Sequence, residues 1–419
     1  MTATTTRYRV TGFALSLAAL AYVQRVAISQ AAGNIQADLH LDKAQLGLVF
    51  GAFGLAYALF EIPSGLMGDR FGVRATLTRI VVAWSAFTAL TGIAWSFTSL
   101  WVSRFLFGAG EAGCFPNLTR MLSAWLPQKS RVRAQALMWA CTRWAGAITP
   151  PLVLALVHWQ GWRWAFVVLA VLGFAWAAVF FWWFRDDPAK HPAVNAEELE
   201  LLHGARAITT QEGATEWYRA LLARPVLILV VQYFCFSFVW YFYVTWLPSY
   251  LKEARQLTEG QAAGFAMLPL LFGGFGSLVA GFAAARIPRR RIAFFGFLFS
   301  GVLLFAVTRI ESTPIAMVAM GLASFCSDLT MPISWNACVE IGRRHTAATS
   351  GAMNMFGNFA GFVAPVGGGL ILARAAGDWN VLLYLMVGAS LAAATCWLFL
   401  DPEKGLDPEK NLDPEKSPT

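Results

Sequence analysis

Apolar runs of around 20 residues recur along the chain, separated by short segments that hold most of the Arg, Lys, Asp and Glu. A helix rises 1.5 Å per residue, so about 20 apolar residues cross a hydrocarbon core about 30 Å thick. The pattern predicts spans near 10–31, 44–67, 75–97, 99–124, 134–157 and 162–184, then 226–251, 261–285, 292–309, 314–339, 348–373 and 379–400. Residues 185–225 are too polar to cross: charges, prolines and a short helical pattern around Glu197–Leu202 mark a cytoplasmic linker. The halves on either side, 10–184 and 226–400, are equal in length and carry six spans each. A six-span unit used twice is the mark of a carrier built from two bundles. The expected architecture is an all-α membrane protein with twelve transmembrane helices in two pseudo-symmetric six-helix bundles, residues 1–184 and 226–400.

The chain closes on a repeat. Leu400-Asp401-Pro402-Glu403-Lys404 recurs from Leu406 and again from Leu412. A polar repeat punctuated by proline builds no core, so 401–419 reads as a disordered cytoplasmic tail.

Composition settles the solvent. Of 419 residues, 57% are hydrophobic and 13% charged, where a soluble domain carries roughly 25% charge. A soluble chain so poor in charge would expose extensive apolar surface. The 36 Gly and 18 Trp suit helices that pack through small residues and anchor indoles at interfaces. The first apolar run, Val10 to Ala31, is of full span length and holds Gln24 and Arg25, so it reads as the first helix and not as a cleaved leader.

The net charge of +8 is a topology signal, since the basic residues sit in short loops; no nucleic-acid partner is expected. One side carries Arg7, Arg9, Arg70, Arg74, Lys129, Arg131, Arg133, Arg286, Arg289, Arg290, Arg291, Arg343 and Arg344. The other carries Lys43, Arg163, Lys252, Arg255, Arg309 and Arg374. The richer side is cytoplasmic, so both termini should face the cytoplasm from a multi-pass chain in the inner (cytoplasmic) membrane. The six cysteines fall within spans and lack metal-ligand spacing. Five His residues, no nucleophile elbow and no phosphate loop argue against an enzyme, and no cofactor or metal is expected.

Between spans 2 and 3 lies Gly65-Leu-Met-Gly-Asp69-Arg70-Phe-Gly72-Val-Arg74. The glycines permit a tight turn. Asp69 suits a helix N-terminus or an arginine across the bundles, a latch broken when the halves rock. The motif resembles the loop signature of the major facilitator superfamily, Gly-x-x-x-Asp-Arg-x-Gly-x-Arg, so Gly65, Asp69, Arg70, Gly72 and Arg74 are the candidate gating residues. The loop after span 8, Arg286-Ile-Pro-Arg-Arg-Arg291, keeps the charge and loses the pattern.

Span 4 reads Arg104-Phe-Leu-Phe-Gly108-Ala-Gly110-Glu111-Ala-Gly113-Cys-Phe-Pro116. Residues seven apart share a helix face, so Arg104 and Glu111 point the same way. A mid-bilayer charge costs roughly 2.5–3.5 kcal/mol on insertion scales and usually marks a pathway; a structural ion pair is the rival reading. Span 1 ends Tyr22-Val-Gln24-Arg25. With Trp162-Arg-Trp-Ala-Phe166, Trp246-Leu-Pro-Ser-Tyr250 and Ser350-Gly-Ala-Met-Asn354-Met-Phe-Gly-Asn358, this is similar to the anion:cation symporter family, which carries galactonate, hexuronates, glucarate and sialic acid. The resemblance covers about residues 10–400. It implies that Arg25 and Arg104 bind a substrate carboxylate and that Glu111 is the coupling proton site. The family commonly has Asp where this chain has Gln24, and an amide cannot titrate, so fewer protons should move per substrate. Asp328 in span 10 is a second proton-coupling candidate, with a capping or packing role equally open.

Arg143 in span 5 shares a helix face with Trp139, Gly146 and Pro150. Facing inward it would favour an anion, up to a dianion; otherwise it pairs with Glu111 or another carboxylate. Asn354 and Asn358 in span 11 suit hydroxyl recognition or interhelical hydrogen bonds, and Tyr241 in span 7 suits the wall of a sugar-like site. Glu61 and Glu340, near cytoplasmic helix ends, read as gate charges. Together Gln24, Arg25, Arg104, Arg143, Tyr241, Asn354 and Asn358 are the candidate substrate-binding set.

The expected function is import of an organic anion, foremost a sugar acid, by proton symport, with sodium the alternative coupling ion, by a monomer in the lipid bilayer. A proton-driven drug exporter is the rival within transport. Span 5 lacks the exporters' glycine-proline motif, reading Gly146-Ala-Ile-Thr-Pro150-Pro151, and the arginines repel cations. A non-transporting receptor is the rival class; it would be expected to carry a sizeable cytoplasmic output domain.

Overall fold

A computed structural model describes residues 3–203, 222–284, 286–342, 346–374 and 378–400. Its elements are all helical among those residues. Ten segments are long and apolar enough to cross a membrane. One of them, Arg133–Trp183, holds both span 5 and span 6, and span 4 escapes the tally because it is broken. Twelve spans result, as the hydrophobic pattern predicts. The tail 401–419, linker residues 204–221 and the charges of Arg343 and Arg344 lie outside the described residues.

Span 1 is Thr6–Gln30, span 2 Lys43–Phe71 and span 3 Val73–Gly92. Span 4 is Phe97–Glu111 followed by Cys114–Trp125, and spans 5 and 6 share Gln128–Trp183, parted at Gly161, whose φ is 82°. Span 7 is Arg224–Thr245, span 8 Glu259–Ala283 and span 9 Arg289–Val307. Span 10 is Thr313–Asp328 followed by Met331–Gly342, span 11 Thr346–Arg374 and span 12 Asn380–Phe399. The pattern predicted spans 4 and 10 as unbroken; each is instead two half-helices, because hydropathy reports burial and not backbone continuity. The chain divides into two compact units, Met1–Thr210 and Gln211–Thr419.

Polar residues at the ends explain where spans begin. Asp42 accepts from the Gln45 N–H while the Gln45 side chain answers the Asp42 N–H, and Ser96 with Ser99 and Thr258 with Gln261 repeat the arrangement. Such reciprocal caps satisfy donors that a new helix leaves orphaned. In the first unit spans 1 and 3 pack on span 6: Phe13 meets Trp176 and Phe180, and a Cβ on Gly92 would sit 2.6 Å from the Arg163 carbonyl. Span 4 presses Gly108 against the Phe53 carbonyl of span 2, which a Cβ would approach to 2.4 Å. In the second unit span 8 lies on span 10 in the same way, and a Cβ on Gly276 would come within 2.3 Å of the Phe325 carbonyl. Outward faces carry large apolar side chains in the open, such as Phe282, Trp182 and Trp159, as lipid requires.

The first part of the linker belongs to the first unit. Its helix Ala196–His203 sends Glu198 to the start of span 1, where the carboxylate accepts from the Thr6 and Arg7 N–H groups, the Thr4 hydroxyl and the Arg7 guanidinium. Burial pushes the Glu198 carboxyl up, but these donors outweigh it and hold it below the usual value. His191 is buried between Trp125 and Trp183, and that burial pushes its imidazole down.

Candidate functional site

Span 4 stops at Glu111 because Ala112 turns to φ −53°, ψ 140° and Gly113 to φ 80°. The left-handed conformation of Gly113 admits glycine at no steric cost. The second half-helix then restarts, with Asn117 donating from its side chain to the Gly113 carbonyl at 2.7 Å. Glu111 therefore ends a half-helix, where carbonyl dipoles already make the potential negative. A cation has to answer it, and Arg25 of span 1 does so through Nη2 to Oε1.

Aromatic rings hold that cation. The Arg25 guanidinium lies 4.6 Å from the Phe53 ring, 5.0 Å from Tyr22 and 5.1 Å from Tyr57. Phe53 also lies 6.0 Å from the Arg104 guanidinium, which sits 4.2 Å from Phe107. Ring faces attract a desolvated cation by about 2 kcal/mol or more, so the two arginines share one aromatic floor. Glu111 is 0% exposed and Arg104 1%. Arg104 Nε and Nη1 and Glu111 Oε2 make no hydrogen bond. A buried guanidinium with open donors is costly unless an acceptor arrives. One net positive charge remains over Arg25, Arg104 and Glu111, and the site can take an anion.

The other candidates fall into place around this centre or away from it. Arg143 is buried in span 5. Trp139, one turn earlier, stacks on Phe115 at 5.0 Å, and Phe115 meets the Tyr22 ring edge-on at 6.1 Å, which ties that face of span 5 to the site. Gln24 is turned to other work: its amide donates to the Leu169 carbonyl of span 6 at 2.6 Å and accepts from Thr88 of span 3 at 3.0 Å. In the second unit Tyr241 donates to Asn358 at 3.0 Å, and Asn358 donates to the Asn354 carbonyl at 2.9 Å. Span 11 admits the Tyr241 ring at Gly361, where a Cβ would come within 2.3 Å. Asp328 ends the first half of span 10 and accepts from Ser324 at 3.3 Å.

In the loop motif Gly72 takes φ 80° and Arg70 is exposed; the side chain of Asp69 and the surroundings of Gly65 lie outside the described residues. Asp186, beyond span 6, accepts from the Arg74 N–H at 2.8 Å and so caps span 3. A Cβ at residue 72 would come within 2.8 Å of that carboxylate. The Arg74 guanidinium donates to the Phe181 carbonyl near the end of span 6.

The model of the Major Facilitator Superfamily matches residues 14–365 and 266–419. The chain belongs to that superfamily. Among its relatives is a probable sulfoacetate transporter of Cupriavidus necator, 37% identical over 95% of this chain and 94% of its own length. A probable galactarate/D-glucarate transporter of Bacillus subtilis is 29% identical over 95% and 92%. A probable L-galactonate transporter of Escherichia coli is 26% identical over 92% and 89%. The solved structure of a bacterial homolog to the human lysosomal transporter Spinster, inward-facing and occupied, superposes with a TM-score of 0.73 at 19% identity, covering 94% of this chain and 96% of that one. The likeness is one of fold: this superfamily member is a multi-pass transporter and not an enzyme.

Sequence reasoning named the charges of the site and missed their setting. Phe53, Tyr57 and Phe107 read as ordinary apolar positions of spans 2 and 4, and nothing in their spacing sets them apart. Gly113 did leave a signal, as the third glycine of Gly108, Gly110 and Gly113 beside an intramembrane acid.

Proposed function

We propose that this superfamily member imports a small organic anion in symport with a proton, the anion bound by Arg104 and Arg25 and the proton by Glu111. The observation that carries the reading is the Arg104 guanidinium, buried with two open donors beside the Arg25–Glu111 pair. An arriving carboxylate or sulfonate fills those donors and competes with Glu111 for Arg25. A buried carboxylate that loses its guanidinium is strongly disfavoured as an anion, so proton uptake follows. The coupling is reciprocal: a protonated Glu111 frees Arg25 for the substrate. One proton with a monoanion moves no net charge, so the gradient supplies about 1.4 kcal/mol per pH unit. Alternating access of the two six-helix bundles, 1–184 and 226–400, in a monomer of the inner membrane with cytoplasmic termini completes the reading.

Sugar acids are the foremost substrates, in keeping with the names of the galactarate, glucarate and galactonate relatives. A sulfonated short acid is the second reading, favoured by the relative at 37% identity named for sulfoacetate. Proteoliposomes with an acidic exterior, offered labelled galactonate, glucarate and sulfoacetate, test both. Accumulation that needs the pH gradient and disappears in Glu111→Gln supports symport. Equal flux without the gradient removes the proton, and no flux of any of the three acids removes the anion.

A further inference from the structure

Span 3 carries an arginine on the face it turns to lipid. Val82, Leu90 and Ile93 are exposed, and their spacing puts them on one side of the helix. Arg79, one turn before Val82, continues that stripe and is itself exposed. It stands six residues inside the span, about 9 Å from the start at Val73. Its side chain runs back toward that start, as the tilt of a helical Cβ directs. The guanidinium lies 5.6 Å from the ring of Phe71, which closes span 2, and Nη2 donates to the Met67 sulfur at 3.0 Å. The Arg70 guanidinium lies 5.4 Å from the same ring, and Phe71 is exposed. A guanidinium carries five donors, which a thioether and a ring face answer weakly. Among the described residues no carboxylate pairs with Arg70 or Arg79.

We propose that Arg79 and Arg70, both set against Phe71, bind the phosphate of an anionic phospholipid. Charge and place together name the occupant. An arginine at this depth lays its stem along hydrocarbon and brings its head to the interface, where headgroup phosphates lie. Two guanidiniums without a carboxylate call for an oxyanion, and the guanidinium fork matches phosphate oxygens. A soluble anion would meet the two heads and leave the apolar stripe bare. A lipid meets the heads with its phosphate and covers Val82 and Leu90 with its acyl chains. The loop charges assign this end of span 3 to the cytoplasm, and that leaflet is the one that attracts basic segments. The site ties the loop between spans 2 and 3 to the bilayer, and it does not depend on the anion reading.

The test needs no transported substrate. The purified full-length protein in neutral detergent is unfolded thermally while phosphatidylglycerol, or phosphatidylcholine at equal amounts, is added to the micelles. The midpoint should rise with the logarithm of phosphatidylglycerol and not with phosphatidylcholine. The rise should move to at least ~tenfold more phosphatidylglycerol in Arg79→Gln, a tenfold weaker site being 1.4 kcal/mol. Arg70→Gln should move it the same way by less, and Arg79→Lys, which keeps the charge without the fork, should fall between wild type and Arg79→Gln. Arg9→Gln removes an exposed charge from the same side and should leave the response in place. A midpoint indifferent to phosphatidylglycerol, or raised equally by phosphatidylcholine, overturns the site. So does a response that Arg79→Gln and Arg9→Gln weaken alike, since bulk charge then explains it. A rise with inorganic phosphate alone that Arg79→Gln removes would replace the lipid with a soluble anion.

Discussion

Asp42 caps span 2 as Thr258 caps span 8, and the same chain separation divides His40 from Gln256, both left-handed at φ 53° and 54°. That separation also divides Arg74 from Arg290. Each reaches carbonyls at the far end of its half, Phe181 for the one and Trp397 with Leu398 for the other. The loop after span 8 therefore keeps the charge because the charge closes a helix C-terminus. Glu111 and Asp328 follow one residue out of step and end matching half-helices. Around Glu111 stand Arg25 and aromatic rings, and Asp328 accepts from the Ser324 hydroxyl. Contacts that end helices recur in both halves, while the side chains beside the two breaks differ.

The largest effect should come from removing the built-in cation. Arg25→Ala strands a buried carboxylate and should cost about 3–5 kcal/mol, most of it recovered in the double variant with Glu111→Gln. Equilibrium unfolding of the single and double variants reads the recovery, and a double variant no more stable than Arg25→Ala alone would remove the pair. Next, Gly108→Ala and Gly276→Ala each drive a methyl into an opposing backbone carbonyl and should cost about 1–3 kcal/mol. A tolerated alanine in either would mean that its span pair is not in this register.

Arg74→Ala and Arg290→Ala should each lose about 1 kcal/mol, equally, as charge-assisted bonds at helix ends. A loss confined to one half would break the equivalence. The smallest effect is peculiar to the first unit. The lowered Glu198 carboxyl contributes stability that is complete above its ordinary 4.5 and disappears as pH falls through the lower folded value. The lowered His191 imidazole adds a loss as pH falls below 6.5, since the unfolded chain binds that proton first. Acid should therefore loosen the linker helix, seen as faster amide exchange at 196–203, and Glu198→Gln should remove the lower of the two steps.

The twelve spans were legible because insertion in lipid imposes length and hydropathy on each element, and intramembrane charges stand out against that background. The breaks after Glu111 and Asp328 were not, because a local change in the backbone, such as the positive φ at Gly113, leaves composition untouched. Gln24 shows a different limit. Its identity said that it cannot titrate, but its partners Leu169 and Thr88 lie on spans 6 and 3, and only packing reveals that its amide links three helices. The Asp186 cap was hidden for the same reason, since the residues it joins are far apart in the chain.

The grip of Glu198 on Thr4, Thr6 and Arg7 also fixes where the first unit begins and ends in space. Its entry and exit strands of chain meet side by side. A fold whose ends adjoin tolerates relocated termini, so joining these ends and reopening the chain at Gly161, where a Cβ would meet nothing within 4 Å, should give a circular permutant that still inserts.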